Sequence, residues 1–201
     1  MTVHSLVIGG WTGRDPAAVQ AHIAELAALG IAPPPTVPVY YRVAASRLTT
    51  ADTIQVTSPH TSGEAECVVL QWEGRLWLLA GSDHTDRAAE AYDITVSKQM
   101  CDKPVSSDAW SLALVAGHWD RLRIQSWADG ELYQDGSAAS LLGVEAVMAG
   151  MGGLGDGTAL FCGTLAVLGG IRPAQEFRAV LFDPISKCRL TLAYRTQDLS
   201  H

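Results

Sequence analysis

The 201-residue sequence has no cluster of lysine or arginine, and its net charge is −7. Nucleic-acid recognition needs a basic face, so nucleic acid is not an expected partner. No stretch approaches the roughly 20 apolar residues of a membrane span, so no membrane partner is expected. The opening MTVHSLVIGG lacks the basic n-region and long apolar core of a signal peptide, which points to the cytoplasm. There is no C-x-x-C pair: Cys67, Cys101, Cys162 and Cys188 are far apart, which argues against the common zinc and thiol-redox motifs. Free, mostly buried thiols are expected. Charged residues make up 17%, below the usual quarter or so, while 48% are hydrophobic. That balance suits one domain over residues 1–201 with a sizeable core. Repeats and low-complexity tracts are absent too.

What is present is β-rich. VHSLVIGGW reads as a short N-terminal strand. Asp15-Pro16 then supplies a helix start, with Asp as N-cap and Pro at the first helical position. Val19, Ile23, Leu26 and Gly30 recur at helical spacing, and Pro33-Pro34-Pro35 forbids continuation, so a helix is expected over 16–29 with its stop at Gly30. Residues 1–45 thus form an N-terminal strand-and-helix segment. VPVYYRV, TIQVTS, EAECVVLQW and RLWLLAG read as strands separated by turn residues. A short helix is expected at the start of DRAAEAYDITVSKQM. WSLALVAGHW, LRIQSWADGELYQDG, ALFCGTLAVLG, FRAVLFD and RLTLAYR read as mostly strand, and SLLGVEAVMAGMGG as a second helix. The tryptophans fall mostly in strands and read as core. Without regular βαβ alternation, a doubly wound parallel sheet is disfavoured. The expected class is α+β, a β-rich mixed-sheet roll or sandwich with few helices.

One group of acids stands out. Glu64 and Glu66 open a strand, and alternation sends both side chains to one face. If Glu73-Gly74 is a two-residue hairpin loop, Trp72 pairs with Arg75, Glu66 faces Gly81 and Glu64 faces Asp83. Directly opposed side chains lie about 5 Å apart at Cβ. Glu-Gly is not a favoured pair for such a loop, and a three-residue loop would break the register. At the two-residue register the three carboxylates converge beside a glycine, and their repulsion calls for a cation. Hard oxygen donors suit Mg²⁺ or Mn²⁺, with Ca²⁺ also compatible, rather than zinc. The alternative is a solvated strand end carrying ordinary surface acids.

These residues also carry a resemblance. The sequence resembles the fumarylacetoacetate hydrolase superfamily, and within it a bacterial branch, a domain of unknown function. The family's Glu-x-Glu and downstream Asp, which bind the metal there, match Glu64, Glu66 and Asp83. Its Asn-Asp-x-Ser-x-Arg motif resembles Ser82 to Arg87, and the lysine that follows matches Lys98. Its Gln-Asp-Gly stretch matches Gln134, Asp135 and Gly136. Its Gly-Asp…Thr-Gly-Thr-Pro segment resembles GDGTALFCGTL, with Gly163 and Thr164. A His-x-x-Glu dyad matches His22 and Glu25. The sequence departs from the pattern in a shorter stretch between Glu66 and Asp83, in Ser82 for Asn and Leu165 for Pro, and in lacking an Arg-Asn-Tyr motif before the dyad.

The resemblance implies the superfamily's mixed-sheet fold, a homodimer, and metal-dependent action on a small acidic 2-oxo or 1,3-dioxo compound through an enolate. Hydrolysis of a C–C bond is the leading expectation. Decarboxylation, hydration, isomerisation or a silent metabolite-binding role are the alternatives. It casts His22, Glu25 and Lys98 as catalytic and Arg87, Gln134, Gly163 and Thr164 as substrate-binding. Read from the residues, His22 and Glu25 share a helix face at i,i+3, so Glu25 can orient His22 for proton transfer, though such pairs are also common on plain surface helices. Lys98 follows the β-branched run Ile94-Thr95-Val96, which places it on a strand. His84 reads as a neighbour of the acids or a packed histidine, and His118 as packed.

Overall fold

A computed structural model of the chain describes residues 2–28 and 33–200. In chain order the elements are β1 (Ser5–Gly10), α1 (Pro16–Ala28), β2 (Val39–Val43), β3 (Leu48–Thr49), β4 (Thr53–Val56), β5 (Thr61–Ser62), β6 (Ala65–Trp72) and β7 (Arg75–Ser82). Then come β8 (Thr85–Asp86), α2 (Arg87–Glu90), α3 (Ile94–Met100), β9 (Lys103–Pro104), β10 (Trp110–Ser111), β11 (Arg123–Ala128) and β12 (Glu131–Ser137). The chain ends with α4 (Val144–Gly150), β13 (Thr158–Thr164), β14 (Glu176–Phe182) and β15 (Arg189–Asp198).

The strands make two large sheets. One runs β10-β7-β6-β13-β1-β2 and the other β12-β11-β14-β15-β4. Each contains one parallel pair, β1 with β13 and β15 with β4, among antiparallel neighbours. The β-rich mixed-sheet class expected from the sequence is therefore the observed one. Val7, Val69, Leu78 and Leu160 from the first sheet join Ile124, Tyr133, Phe177, Leu181 and Leu192 from the second in one apolar core. A second cluster, Leu6, Ile8, Val68, Leu70, Leu79 and Phe161, covers the other face of the first sheet. Glu66 and Gly81 belong to that second face by alternation.

α1 starts as expected, with Asp15 Oδ1 accepting from the backbone N–H of Ala17 at 2.9 Å. The expected stop at Gly30 and the last residue, Leu29, lie outside the described residues. Two strand assignments are corrected. Lys98 lies on helix α3, not on a strand, because Asp93 caps the helix: its Oδ1 accepts from Val96 N–H at 2.9 Å. That cap outweighs the β-preference of Ile94, Thr95 and Val96. The run WSLALVAGHW is strand only at Trp110–Ser111, and 3₁₀ turns follow at Leu112–Leu114 and Ala116–Arg121. The tryptophans are not core as a group: Trp119 is buried, while the other five are half-buried. Free thiols are found at all four cysteines, with only Cys188 exposed.

The β6–β7 hairpin sets the register of the site. Trp72 pairs with Arg75 across a two-residue turn in which Glu73 and Gly74 have φ of 49° and 70°. Positive φ at both positions is the I′ geometry that matches strand twist. Further along, Glu66 stands opposite Gly81. A Cβ at Gly81 would run into Val68 Cγ2 and stand 2.9 Å from Phe161 Cε1. Gly81→Ala is therefore expected to cost about 1–3 kcal/mol through overpacking. Urea unfolding of the variant measures this; a cost near zero would show that Val68 and Phe161 yield freely.

Candidate active site

The hairpin delivers the three acids to one place. Beyond the Ala65–Ser82 pair, Asp83 N–H donates to the Glu64 carbonyl oxygen at 3.0 Å. Glu66 and Asp83 are buried, and the Glu64 side chain is 15% exposed. Burial and the charge of Asp83 push the Glu66 carboxyl well above the usual range. One Glu66 oxygen accepts from the backbone N–H of Gly163 at 2.7 Å.

Asp83 is gripped from two sides. Lys98 Nζ donates to Oδ2. Lys103 Nζ lies 3.2 Å from Oδ1 and also donates to the His84 carbonyl oxygen. Burial alone would raise the Asp83 carboxyl, but the charges of Lys98 and Lys103 hold it below the ordinary carboxylate range. Burial lowers Lys103 despite Asp83. Lys98 is raised: burial opposes its charge, but Asp83 and Glu64 more than compensate. Arg87, N-terminal in α2, donates to Ser62 Oγ at 2.7 Å and Glu90 Oε2 at 2.8 Å. Its Nη2 lies 3.3 Å from Glu64 Oε2, an ionic contact without hydrogen-bond geometry. Glu64, Glu66, Asp83 and Glu90 thus face Arg87, Lys98 and Lys103.

Lys103 escaped the sequence reading. No sequence signal marks it, and burial does not alternate there either, since Pro104 and Ser106 are buried as well. His84 is packed: its Nδ1 lies 2.8 Å from Tyr194 Oη, which also meets Ser82 Oγ at 2.9 Å. Burial, then the charges of Lys103 and Arg87, pull His84 down to about 3, so its ring is neutral at pH 7. His118 packs against Asp183, with Nε2 3.0 Å from Oδ1.

The other expected site residues divide. Gly163 orients Glu66 and has φ 100°. Thr164 donates to the Ala65 carbonyl oxygen at 3.0 Å. Gln134 is committed to the scaffold. Its oxygen accepts from Ala65 N–H and Ser126 Oγ, and its NH₂ donates to Thr164 Oγ1 and the Leu165 carbonyl oxygen. An amide offers two donors and two acceptor sites, so Gln134 has none left for substrate. His22 and Glu25 face each other at 3.4 Å on α1, their side chains 60% and 75% exposed. Among the described residues neither is a hydrogen-bond or ion-pair partner of the buried cluster. A cleft of about 450 Å³ lined by Arg42, Arg47 and Gln99 opens beside α3 and does not include the cluster.

The donor chemistry of Glu64, Glu66 and Asp83 fits a divalent ion, which would also offset the burial and, next, the Asp83 charge that raise the Glu66 carboxyl. As they stand, no three His, Cys, Asp or Glu side chains among the described residues are gathered closely enough to hold one. Both Asp83 oxygens are turned toward lysines instead.

Residues 9–194 match the family described as "Protein of unknown function (DUF2848)". The chain belongs to that family. No curated protein matches it. Among solved structures it is similar to 2-hydroxyhepta-2,4-diene-1,7-dioate isomerase from Mycobacterium marinum. The TM-score is 0.71 and identity 13%, covering 100% of this chain and 77% of that one. It is similar to yeast ynq8, a fumarylacetoacetate hydrolase family protein, with TM-score 0.69 and identity 13%, covering 98% and 93%. It is also similar to 5-carboxymethyl-2-hydroxymuconate delta-isomerase from Mycobacterium smegmatis, with TM-score 0.68 and identity 12%, covering 98% and 80%. The chain therefore has the fumarylacetoacetate-hydrolase fold that its motifs implied. No helix among the described residues is long and apolar enough to cross a membrane.

Breaking a buried ion pair from one side strands the other charge, at a cost of roughly 3–5 kcal/mol. Asp83→Asn strands Lys98 and Lys103 together and is expected to lose at least that much. Lys103→Met leaves Asp83 its partner Lys98 and is expected to lose less. Chemical denaturation ranks the two variants; the reverse order would mean Asp83 is not the centre of the cluster.

Proposed function

We propose that this chain is an enzyme acting on a small 2-oxo or 1,3-dioxo acid with the help of a divalent ion, most simply by hydrolysing a carbon–carbon bond. The observation carrying this reading is the buried cluster of Glu64, Glu66 and Asp83 with Arg87, Lys98 and Lys103. Buried ion networks are poor stabilisers compared with apolar packing of the same volume. Their concentration at one strand end fits a chemical role better than a structural one.

Glu64, Glu66 and Asp83 would hold Mg²⁺ or Mn²⁺, which when bound polarises an oxo oxygen and stabilises charge developing on it. Taking the ion would require Asp83 to turn an oxygen from a lysine, leaving that ammonium to meet the substrate carboxylate. Arg87 is suited to a second carboxylate. Its Nη2 meets Glu64 at 3.3 Å without hydrogen-bond geometry and is closed off from solvent, so an anion would have to displace the Glu64 carboxylate to reach it. His22 would move the proton, with Glu25 orienting the imidazole. Gly163 keeps Glu66 aimed inward. A second reading, isomerisation of an unsaturated oxo diacid, is favoured because two of the similar structures are isomerases. By the family resemblance we propose a homodimer, and from the character of the opening residues a cytoplasmic one.

Mg²⁺ or Mn²⁺ at a hundred times its dissociation constant is expected to stabilise the protein by about 2.7 kcal/mol, read by thermal melting. Glu66→Gln should abolish the shift. A panel of oxaloacetate, acylpyruvates and 2-oxo-enoic acids then tests turnover. His22→Ala should lower turnover about 10²–10⁴-fold with the metal shift retained. No metal shift in the wild type would remove the metal; unchanged turnover in His22→Ala would remove the acid–base role.

A further inference from the structure

His22 is exposed, whereas the cluster it is proposed to serve is buried. Two aromatic side chains bridge that gap. Trp11 follows the last residue of β1, and its ring centroid lies 5.6 Å from that of His22, at 47°. Its indole lies near the Tyr41 hydroxyl and partly opposes the rise that burial gives that group. Tyr41 lies on β2, where Ile8 pairs with Tyr41 and Gly10 with Val39. Its ring packs over Gly10: a Cβ there would stand 2.9 Å from Tyr41 Cε2. Lys98 Nζ lies 5.7 Å from the centre of the Tyr41 ring. Lys98 in turn grips Asp83. The series His22, Trp11, Tyr41, Lys98, Asp83 is continuous.

The backbone supplies an independent observation. Trp11 has φ of 58°. Bulky residues avoid this left-handed region, which glycine occupies freely, and such strain persists where the surrounding structure over-determines it. The neighbouring residue points the same way. Thr12 is buried, and a Cβ on Gly163 would overlap Thr12 Oγ1, so the turn is wedged against the residue that orients Glu66. The turn at residues 10–12 therefore has one side chain toward α1 and the next toward the cluster wall.

We infer that Trp11 is a positioning residue that holds His22 of α1 in register with the buried cluster, acting through Tyr41 and Lys98. This rests on the acid–base role proposed for His22. A Trp11 that only filled space would be replaceable by any residue that leaves the fold intact. A positioning Trp11 is replaceable only by another flat aromatic ring.

The test uses the full chain with Trp11→Gly, Trp11→Phe, His22→Ala and the Trp11→Gly/His22→Ala double variant. Glycine suits the positive φ, so Trp11→Gly is expected to fold, checked by a dispersed ¹H–¹⁵N spectrum. Without any substrate, NMR of the wild type should show indole-to-imidazole cross-peaks and ring-current-shifted His22 protons. Trp11→Gly should lose that shift and Trp11→Phe should keep most of it. On any acid of the panel that is turned over, Trp11→Gly should lower kcat about 10- to 100-fold with KM little changed, the scale of a misplaced catalytic group. Trp11→Phe should restore most of it. The double variant should be no slower than His22→Ala, because groups acting through one another are non-additive.

His22 protons unmoved by Trp11→Gly would overturn the inference whether or not a substrate is in hand. So would a Trp11→Gly variant that shifts His22 but keeps full kcat, or a double variant whose losses add. Turnover unchanged in His22→Ala would instead overturn the acid–base reading, and the NMR arm would still decide whether Trp11 places His22.

Discussion

Asp83 held between two buried ammonium groups is the contact on which the rest of the site depends. Lys98 arrives from α3 and Lys103 from β9, so one carboxylate at the end of β7 ties down the segment that follows it. A carboxylate in this position cannot be left unpaired, and neither can the lysines. Removing the acid therefore threatens the placement of α3, and with it the Tyr41 ring that packs near Lys98. Catalytic geometry and local folding share one interaction. That explains how so many charges persist in a region whose neighbours, Val68, Leu79 and Phe161, are apolar.

Much of this was legible because hairpin register is arithmetic. A two-residue turn at Glu73-Gly74 fixes every later pair, so the approach of Glu66, Gly81 and Asp83 followed once the turn was granted. The turn was the uncertain step, and the structure shows why it holds. Glu73 accepts a left-handed φ of 49°, and Gly74 N–H donates to Asp156 Oδ1 at 3.3 Å, which anchors the loop. Alternation also foretold most of the strands. It failed where local capping competes with side-chain preference. Ile94, Thr95 and Val96 favour a strand, yet Asp93 supplies the hydrogen bond that a helix start lacks.

The residues that the sequence concealed are those whose role comes from distant partners. Lys103 is an ordinary lysine in the sequence, and only its contacts with Asp83 and the His84 carbonyl single it out. Gln134 matches a motif position, but whether its amide is free depends on Ala65, Ser126, Thr164 and Leu165. Four hydrogen bonds from three separate stretches exhaust it, and no local pattern announces that. Trp11 is likewise anonymous in GGWTG. Its neighbours in space come from α1 and β2, and its unusual φ is a property of the folded backbone alone.

The cluster also has an energetic gradient. At its inner end Asp83 is 1% exposed, and both of its oxygens face lysines, where a low effective dielectric makes each contact strong and each exchange costly. At its outer end Glu64 and Arg87 are each 15% exposed and meet at 3.3 Å without hydrogen-bond geometry. That contact is the loosest in the cluster, although Arg87 Nη2 itself is closed off from solvent. Arg87 is nonetheless fixed in place, because Ser62 and Glu90 hold its other nitrogens. An anion reaching this end would have to displace the Glu64 carboxylate, while the charges deeper in stay locked by one another. The cluster is thus bound most tightly where it is deepest, and its loosest pairing lies at the rim, where one contact lacks hydrogen-bond geometry.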